Sequence, residues 1–267
     1  MKQTYRPIVL VGLVTLLGVF TLPAYGQQRL ALQNSFVEFT AQQMSSVELY
    51  NRGIDKIESR DYQGAIEDFT QSLQLNPDDA DTYYNLGYVY HTLGNYDKAI
   101  SNYSDAIRLR SDFDQAYSNR GYAHYILKNY EAAIEDSTQA IRVNPDNDTA
   151  YISRGNAHDE LGQHREALTN YDQALKLNPQ NARAYYNRAL TYNRLNEDQK
   201  ALENYNEAIK LRPKFSEALY NRGLTYFKLE KTEQAIEDLQ QASKLFQTEG
   251  RTENYQSALK AIEVIQE

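Results

Sequence analysis

The stretch Tyr83–Ala106, YYNLGYVYHTLGNYDKAISNYSDA, decides the fold. Its first half sets apolar residues at Tyr83, Leu86, Val89, Tyr90 and Leu93, steps of three and four that trace one face of a helix and not the alternation of a strand. Gly94 and Asn95 break the pattern, and Asn95 stands where a side-chain oxygen caps a new helix. The apolar face then resumes through Ala99, Ile100, Tyr103 and Ala106. Helices of about 14 residues are marginal in isolation, so this pair must bury its apolar faces against something else.

What it packs against is more of itself. Alanines recur at Ala65, Ala99, Ala133, Ala167, Ala201 and Ala235, each 34 residues after the last. Small residues keep the same register at Gly53, Gly87, Gly121, Gly155, Ala189 and Gly223, and prolines close most units at Pro77, Pro145, Pro179 and Pro213. A fixed period of this length is the signature of a stacked array, each helix pair buried by the next. The Gly and Ala columns, set opposite each other, would let the two helices of a unit approach closely while larger residues fill either side. Asp61 and Asn129 take the capping place of Asn95 in their own units.

The expected fold is therefore all-α, an α-solenoid of six helix-turn-helix units spanning 46–79, 80–113, 114–147, 148–181, 182–215 and 216–249. Beyond it, Tyr255, Ala258, Leu259, Ile262 and Ile265 form one stripe, so residues 250–267 read as a C-terminal capping helix. Residues 27–45, with Phe36, Phe39 and Met44, read as a linker or an N-terminal helix.

Composition narrows the chemistry. With no cysteine there are no disulfides, thiolate metal sites or cysteine nucleophiles. A net charge of −8 without segregated basic residues argues against nucleic acid as partner. Lys2 and Arg6, the apolar run Ile8–Phe20 and the small residues Ala24 and Gly26 read as a signal peptide, residues 1–26, cleaved after Gly26. An uncleaved anchor is the alternative. Export follows, to a bacterial periplasm in the first instance, with a thylakoid lumen or the cell exterior as other destinations, and with no membrane insertion after cleavage. Phosphate-binding loops, nucleophile elbows and zinc helices are missing from the sequence, so neither an enzyme nor a cofactor is expected.

In the second unit, Tyr83, Leu86, Gly87, Tyr90, Ala99, Tyr103 and Ala106 stand where tetratricopeptide repeats carry their consensus residues, and the 34-residue unit resembles that family. The departures are Ser111 at the usual Pro, and Lys56, Ser72, Ser137 and Thr248 in other units. The resemblance covers Ser46–Glu249. It implies a right-handed superhelix whose concave face is lined by the first helix of every unit.

On that resemblance the column Asn51, Asn85, Asn119, Ser153, Asn187 and Asn221 faces the groove, and it is similar to the asparagine ladder in the repeat region of O-linked N-acetylglucosamine transferases, which holds the main chain of an extended peptide. An amide side chain matches the C=O and N–H of any peptide bond. Selectivity would then fall to Tyr50, Tyr84, Tyr186 and Tyr220, one residue before the column, and to Tyr88 and Tyr122, three after it. Glu58, Asp81, Asp159 and Glu160 in earlier units, against Arg183, Arg194 and Lys228 in later ones, would direct an acidic part of the partner toward the C-terminal units.

The reading is a non-enzymatic exported scaffold that binds an extended protein segment, serving assembly of an envelope or membrane complex. Two alternatives stand beside it: an envelope enzyme or metal-binding subunit centred on His124, His158, Asp159 and Glu160, and a structural spacer that self-associates.

One further column is informative. Arg52, Leu86, Arg120, Arg154, Arg188 and Arg222 are followed sixteen residues later by Asp68, Asn102, Asp136, Asn170, Asn204 and Asp238. Aspartate occurs only where the first position is arginine. The pattern predicts the pairs Arg52–Asp68, Arg120–Asp136 and Arg222–Asp238 within their own hairpins.

Overall fold

Each 34-residue period becomes one helical hairpin. The computed structural model describes residues 44–267 and contains thirteen helices among them: α1 (Ser46–Glu58), α2 (Tyr62–Leu75), α3 (Ala80–Thr92), α4 (Tyr96–Leu109), α5 (Asp114–Ile126), α6 (Tyr130–Val143), α7 (Asp148–Glu160), α8 (His164–Leu177), α9 (Ala182–Arg194), α10 (Asp198–Leu211), α11 (Ser216–Lys228), α12 (Thr232–Thr248) and α13 (Thr252–Gln266). The signal segment and most of the 27–45 segment lie outside the described residues. No helix among the described residues is long and apolar enough to cross a membrane.

The turn inside every hairpin uses one residue in the left-handed region: Arg60, Gly94, Lys128, Gly162, Asn196 and Glu230, with φ between 58° and 76°. Glycine adopts this conformation without a Cβ clash, whereas Lys128 and Glu230 are strained there. Lys128→Gly and Glu230→Gly are therefore expected to raise stability by about 1 kcal/mol each, measured by urea unfolding. A loss of stability would show that their side chains hold the turn in some other way.

Local caps start the helices. Asp61 Oδ1 accepts from the Gly64 N–H at 3.0 Å and Asn95 Oδ1 from that of Lys98 at 3.2 Å. Asn129, expected to cap in the same way, makes no side-chain cap bond. First helices are capped by Asp79, Asn147 and Asn181, and α1 by a reciprocal Ser45–Glu48 box.

The glycine column does bring the hairpin helices together, but against a different neighbour. A Cβ on Gly53 would lie 2.6 Å from the Phe69 ring, on Gly87 2.8 Å from Tyr103, and on Gly155 2.8 Å from Tyr171. The large residue of the second helix, not the alanine methyl, covers the glycine, while alanine contributes a backbone carbonyl, Ala99 O, at 3.3 Å from the Gly87 position. Phe69, Tyr103, Tyr171, Tyr205 and Leu239 thereby form a buried file along the array, interrupted in the third repeat, where Ser137 takes the place and Asp136 Cβ lies nearest Gly121.

Curvature follows from the packing. First helices of successive repeats touch one another, whereas second helices of successive repeats do not. The first helices accordingly lie on the inside of the bend. Helix α13 packs on α12 and also touches α11, so it occupies the place of the first helix of a seventh repeat. Ala258 is buried there with Leu219, Ala242 and Phe246, but Leu259, read as part of the buried stripe, is exposed.

Candidate functional site

Arginines tie the first helices, which carry the groove, to the second helices behind them. Arg52 donates to Asp68 from Nε at 2.7 Å and Nη2 at 2.5 Å, and Lys56 adds a contact at 2.9 Å. Arg120 holds Asp136 at 2.9 and 2.6 Å, and Arg222 holds Asp238 at 2.7 and 2.7 Å. These are planar two-point contacts to buried carboxylates. Arg154 and Arg188, facing Asn170 and Asn204, donate once each at 2.7 Å.

The guanidinium has a second task that single-unit reasoning missed. Its remaining arm reaches the second helix of the preceding repeat, at Ser104, Thr138, Asp172 or Asn206. Each of these stands sixteen residues before its arginine, an all-polar column that could have signalled the link. Arginine thus ties its own hairpin and clips it to its neighbour. Burial opposes charge on Arg120 and Arg222, yet the bonds each donates to its aspartate raise their pKa values; Arg154, with a neutral partner, is pushed down by burial.

The asparagine column forms rungs with tyrosines of the preceding repeat. Asn85 Nδ2 donates to Tyr50 Oη at 3.2 Å, Asn119 to Tyr84 at 3.1 Å and Asn221 to Tyr186 at 3.1 Å. In Asn85 and Asn221 the same nitrogen also donates to a backbone carbonyl, Asp81 O and Glu217 O, each at 2.9 Å. A carbonyl can only accept, so both amide protons are spent inside the protein and Oδ1 is the atom left over. Each tyrosine oxygen accepts, and its own proton stays available. Burial is the first cause raising the pKa of Tyr50, Tyr84 and Tyr186, the last to about 12, so these groups remain O–H donors.

This changes the part played by the tyrosines. The rings of Tyr50, Tyr84, Tyr186 and Tyr220, expected to be anchors, pack on Phe69, on Tyr103 and Phe113, on Tyr205 and Phe215, and on Phe246. Only Tyr88 and Tyr122 of the set are exposed rings. Asn51 is exposed, while Asn187 donates to Asn156 at 2.8 Å and not to a tyrosine, because Ile152 fills the tyrosine place.

The charge gradient is mostly neutralised within the molecule. Arg194 spans Asp159 at 2.6 Å and Glu160 at 2.9 Å, Lys228 meets Asp198 at 2.8 Å, and Arg110 meets Asp81 at 2.5 Å. Arg194 is therefore a tie between repeats four and five and not a free ligand for an acidic partner. Arg183 is exposed and forms no ion pair among the described residues.

The four residues of the rival centre do not converge. Buried Asp159 is held by Arg194 and by His164 Nδ1 at 2.7 Å, and His158 Nδ1 meets Gln163 at 2.6 Å. His124 lies in its own hairpin, its pKa lowered by burial.

These features define an α-solenoid with a hydrogen-bonding inner face. A TPR-repeat model matches residues 57–94, 155–196 and 191–230, and a tetratricopeptide-repeat model matches 80–113, 115–147 and 216–248. The chain belongs to the tetratricopeptide-repeat family. No curated protein matches it in sequence. Among solved structures it is similar to MamA, at 26% identity over 61% of this chain and 95% of that one with a TM-score of 0.57. It is also similar to YrrB, a TPR protein with an unusual peptide-binding site, at 25% identity over 66% and 91% with a TM-score of 0.53. The APC/C hetero-tetramer Cut9–Hcn1, 19% identical with a TM-score of 0.70 over 90% of this chain and 46% of that one, shares the fold. Family and fold support a protein–protein interaction scaffold.

Proposed function

We propose that this chain is an exported, non-enzymatic scaffold that grips an extended segment of a partner protein by its backbone in the inner groove, in the service of assembling an envelope or membrane complex. The observation that carries the reading is the rung: one free acceptor, asparagine Oδ1, beside one free donor, tyrosine O–H. A peptide bond needs that pair, whatever side chain it bears. Packed helices lie roughly 10 Å apart and an extended chain advances about 3.3 Å per residue, so successive rungs meet about every third peptide bond. The peptide-binding site of YrrB, a structure similar to this one, supports the same use of the fold. Export rests on the basic and apolar character of residues 1–26; an intact mass beginning at Gln27 in the exported fraction would establish it, and a full-length mass would overturn it.

Peptides selected on the wild type from a random twelve-residue display library test the grip. Asn85→Ala, Asn119→Ala and Asn221→Ala together remove three rungs, each contributing about 0.5–1.5 kcal/mol, so affinity should fall by roughly ten-fold or more while helical content is kept. Unchanged affinity in the triple variant would end this reading.

A further inference from the structure

The groove is not chemically uniform along its length. Around α11 and α13 it is a mixed apolar pocket, lined by Leu224, Phe227, Ala261 and Val264. Around α3 and α5 it is aromatic: His91 stacks on Tyr122 at 5.4 Å and 22°, and Tyr122 on Tyr125 at 6.4 Å and 28°. Tyr88 and Tyr122 turn ring surface to solvent, 42% and 38% exposed.

Beneath these rings lies an unused hydrogen bond. Tyr103 is fully buried, yet its hydroxyl has no partner. Its equivalents are satisfied by asparagines on the groove floor: Tyr171 donates to Asn156 at 2.8 Å, and Tyr205 accepts from Asn193 at 3.0 Å. In the second repeat those two floor positions are Tyr88 and His91 instead, so the Tyr103 phenol has only Asn119 beside it, near enough to act on it but outside hydrogen-bond geometry. A buried polar group without a partner is costly, and a ligand that satisfies it gains accordingly.

Phenol protons outnumber the free asparagine oxygens, those of Asn85 and Asn119, in this half. Tyr50 and Tyr84 keep their protons after accepting from Asn85 and Asn119, and Tyr88, Tyr103 and Tyr122 add three more phenols. The charges on α3 and α5 all have partners within the protein, Asp81 in Arg110, Arg120 in Asp136 and Asp114 in the Asn144 amide, and burial lowers the His91 pKa and favours its neutral form. A charged ligand residue would lose water here and gain no counter-ion.

We infer that the partner segment lying across the second and third repeats is uncharged and rich in proline. Proline supplies a carbonyl but no N–H, which suits the surplus phenols, while the residues between prolines keep the N–H that Asn85 and Asn119 Oδ1 accept; its flat ring packs on exposed tyrosine faces. Proline-rich chains are also already extended, so little ordering is needed on binding. The inference rests on the groove reading above.

Fluorescence anisotropy with two labelled, uncharged twelve-residue peptides tests it, one of repeating Pro-Pro-Ser and one with every proline replaced by alanine. The proline peptide should bind wild type at least ten-fold more tightly, and Tyr88→Ala with Tyr122→Ala, at exposed positions, should erase most of that preference. Tyr103→Phe should raise the melting temperature of the free protein while weakening the proline peptide several-fold, a combination that a purely structural tyrosine would not produce. Equal binding of the two peptides, or binding of neither, overturns the inference. If display-selected peptides still depend on the asparagines in that case, the groove reading stands and the proline preference alone is wrong.

Discussion

Arg120→Ala is expected to destabilise the array by about 3–5 kcal/mol. The substitution leaves the Asp136 carboxylate, only 4% exposed, without either of the two bonds it receives at 2.6 and 2.9 Å. It also releases the clip to Ser104 on the preceding repeat. Because a solenoid is stabilised by each unit and each junction, weakening an internal unit should split or broaden urea unfolding as well as shift it. The molecule contains its own control, since the second repeat does without the pair and carries Leu86 and Asn102 at the equivalent places. Arg120→Leu combined with Asp136→Asn should therefore recover most of the loss, because no buried charge is then stranded. A single variant within 1 kcal/mol of wild type, by the same scale, would show that the carboxylate is not dependent on its arginine.

The first repeat adds a pH dependence. Arg52, and after it Lys56, hold the Asp68 carboxyl below its usual value despite burial. A carboxyl depressed in the folded state stabilises above its unfolded pKa of about 3.9, and that contribution disappears as pH falls through the folded value. Wild type should lose stability faster than Arg52→Ala as the solution is acidified below about pH 4. Parallel stability curves would contradict this.

Gly155→Val is the second large effect, with an expected loss of about 3 kcal/mol. A Cβ at this position already lies 2.8 Å from the ring of Tyr171, which is 1% exposed and cannot swing aside. Alanine is a different matter. In the fifth repeat Ala189 is the native residue beside Tyr205, both fully buried, so a single methyl is accommodated by a small shift. Gly155→Ala should thus lie near neutrality, its strain offset by a helix propensity better by about 1 kcal/mol. Two γ-methyls have nowhere to go. Comparable stability of the alanine and valine variants would mean that the helices separate more easily than this packing implies.

The repeat and its hairpins were legible from the sequence because helix periodicity and the 34-residue register are local properties, visible at Tyr83–Ala106 and restated five times. The arginine–aspartate pairs could be read for a related reason: both members lie in one hairpin, and the six units act as internal replicates in which Asp appears only with Arg. Tertiary structure decided what residues one period apart do to each other. Stacking turns a separation of 34 or 35 residues into contact, so Asp159 and Arg194, read as opposite ends of a charge gradient, neutralise one another. Tyr50 and Asn85 likewise become one rung. The rings of Tyr50, Tyr84, Tyr186 and Tyr220 lean half-buried on core aromatics because their direction depends on how far each repeat rotates on the last, and that rotation is a property of the assembled array and not of any single unit.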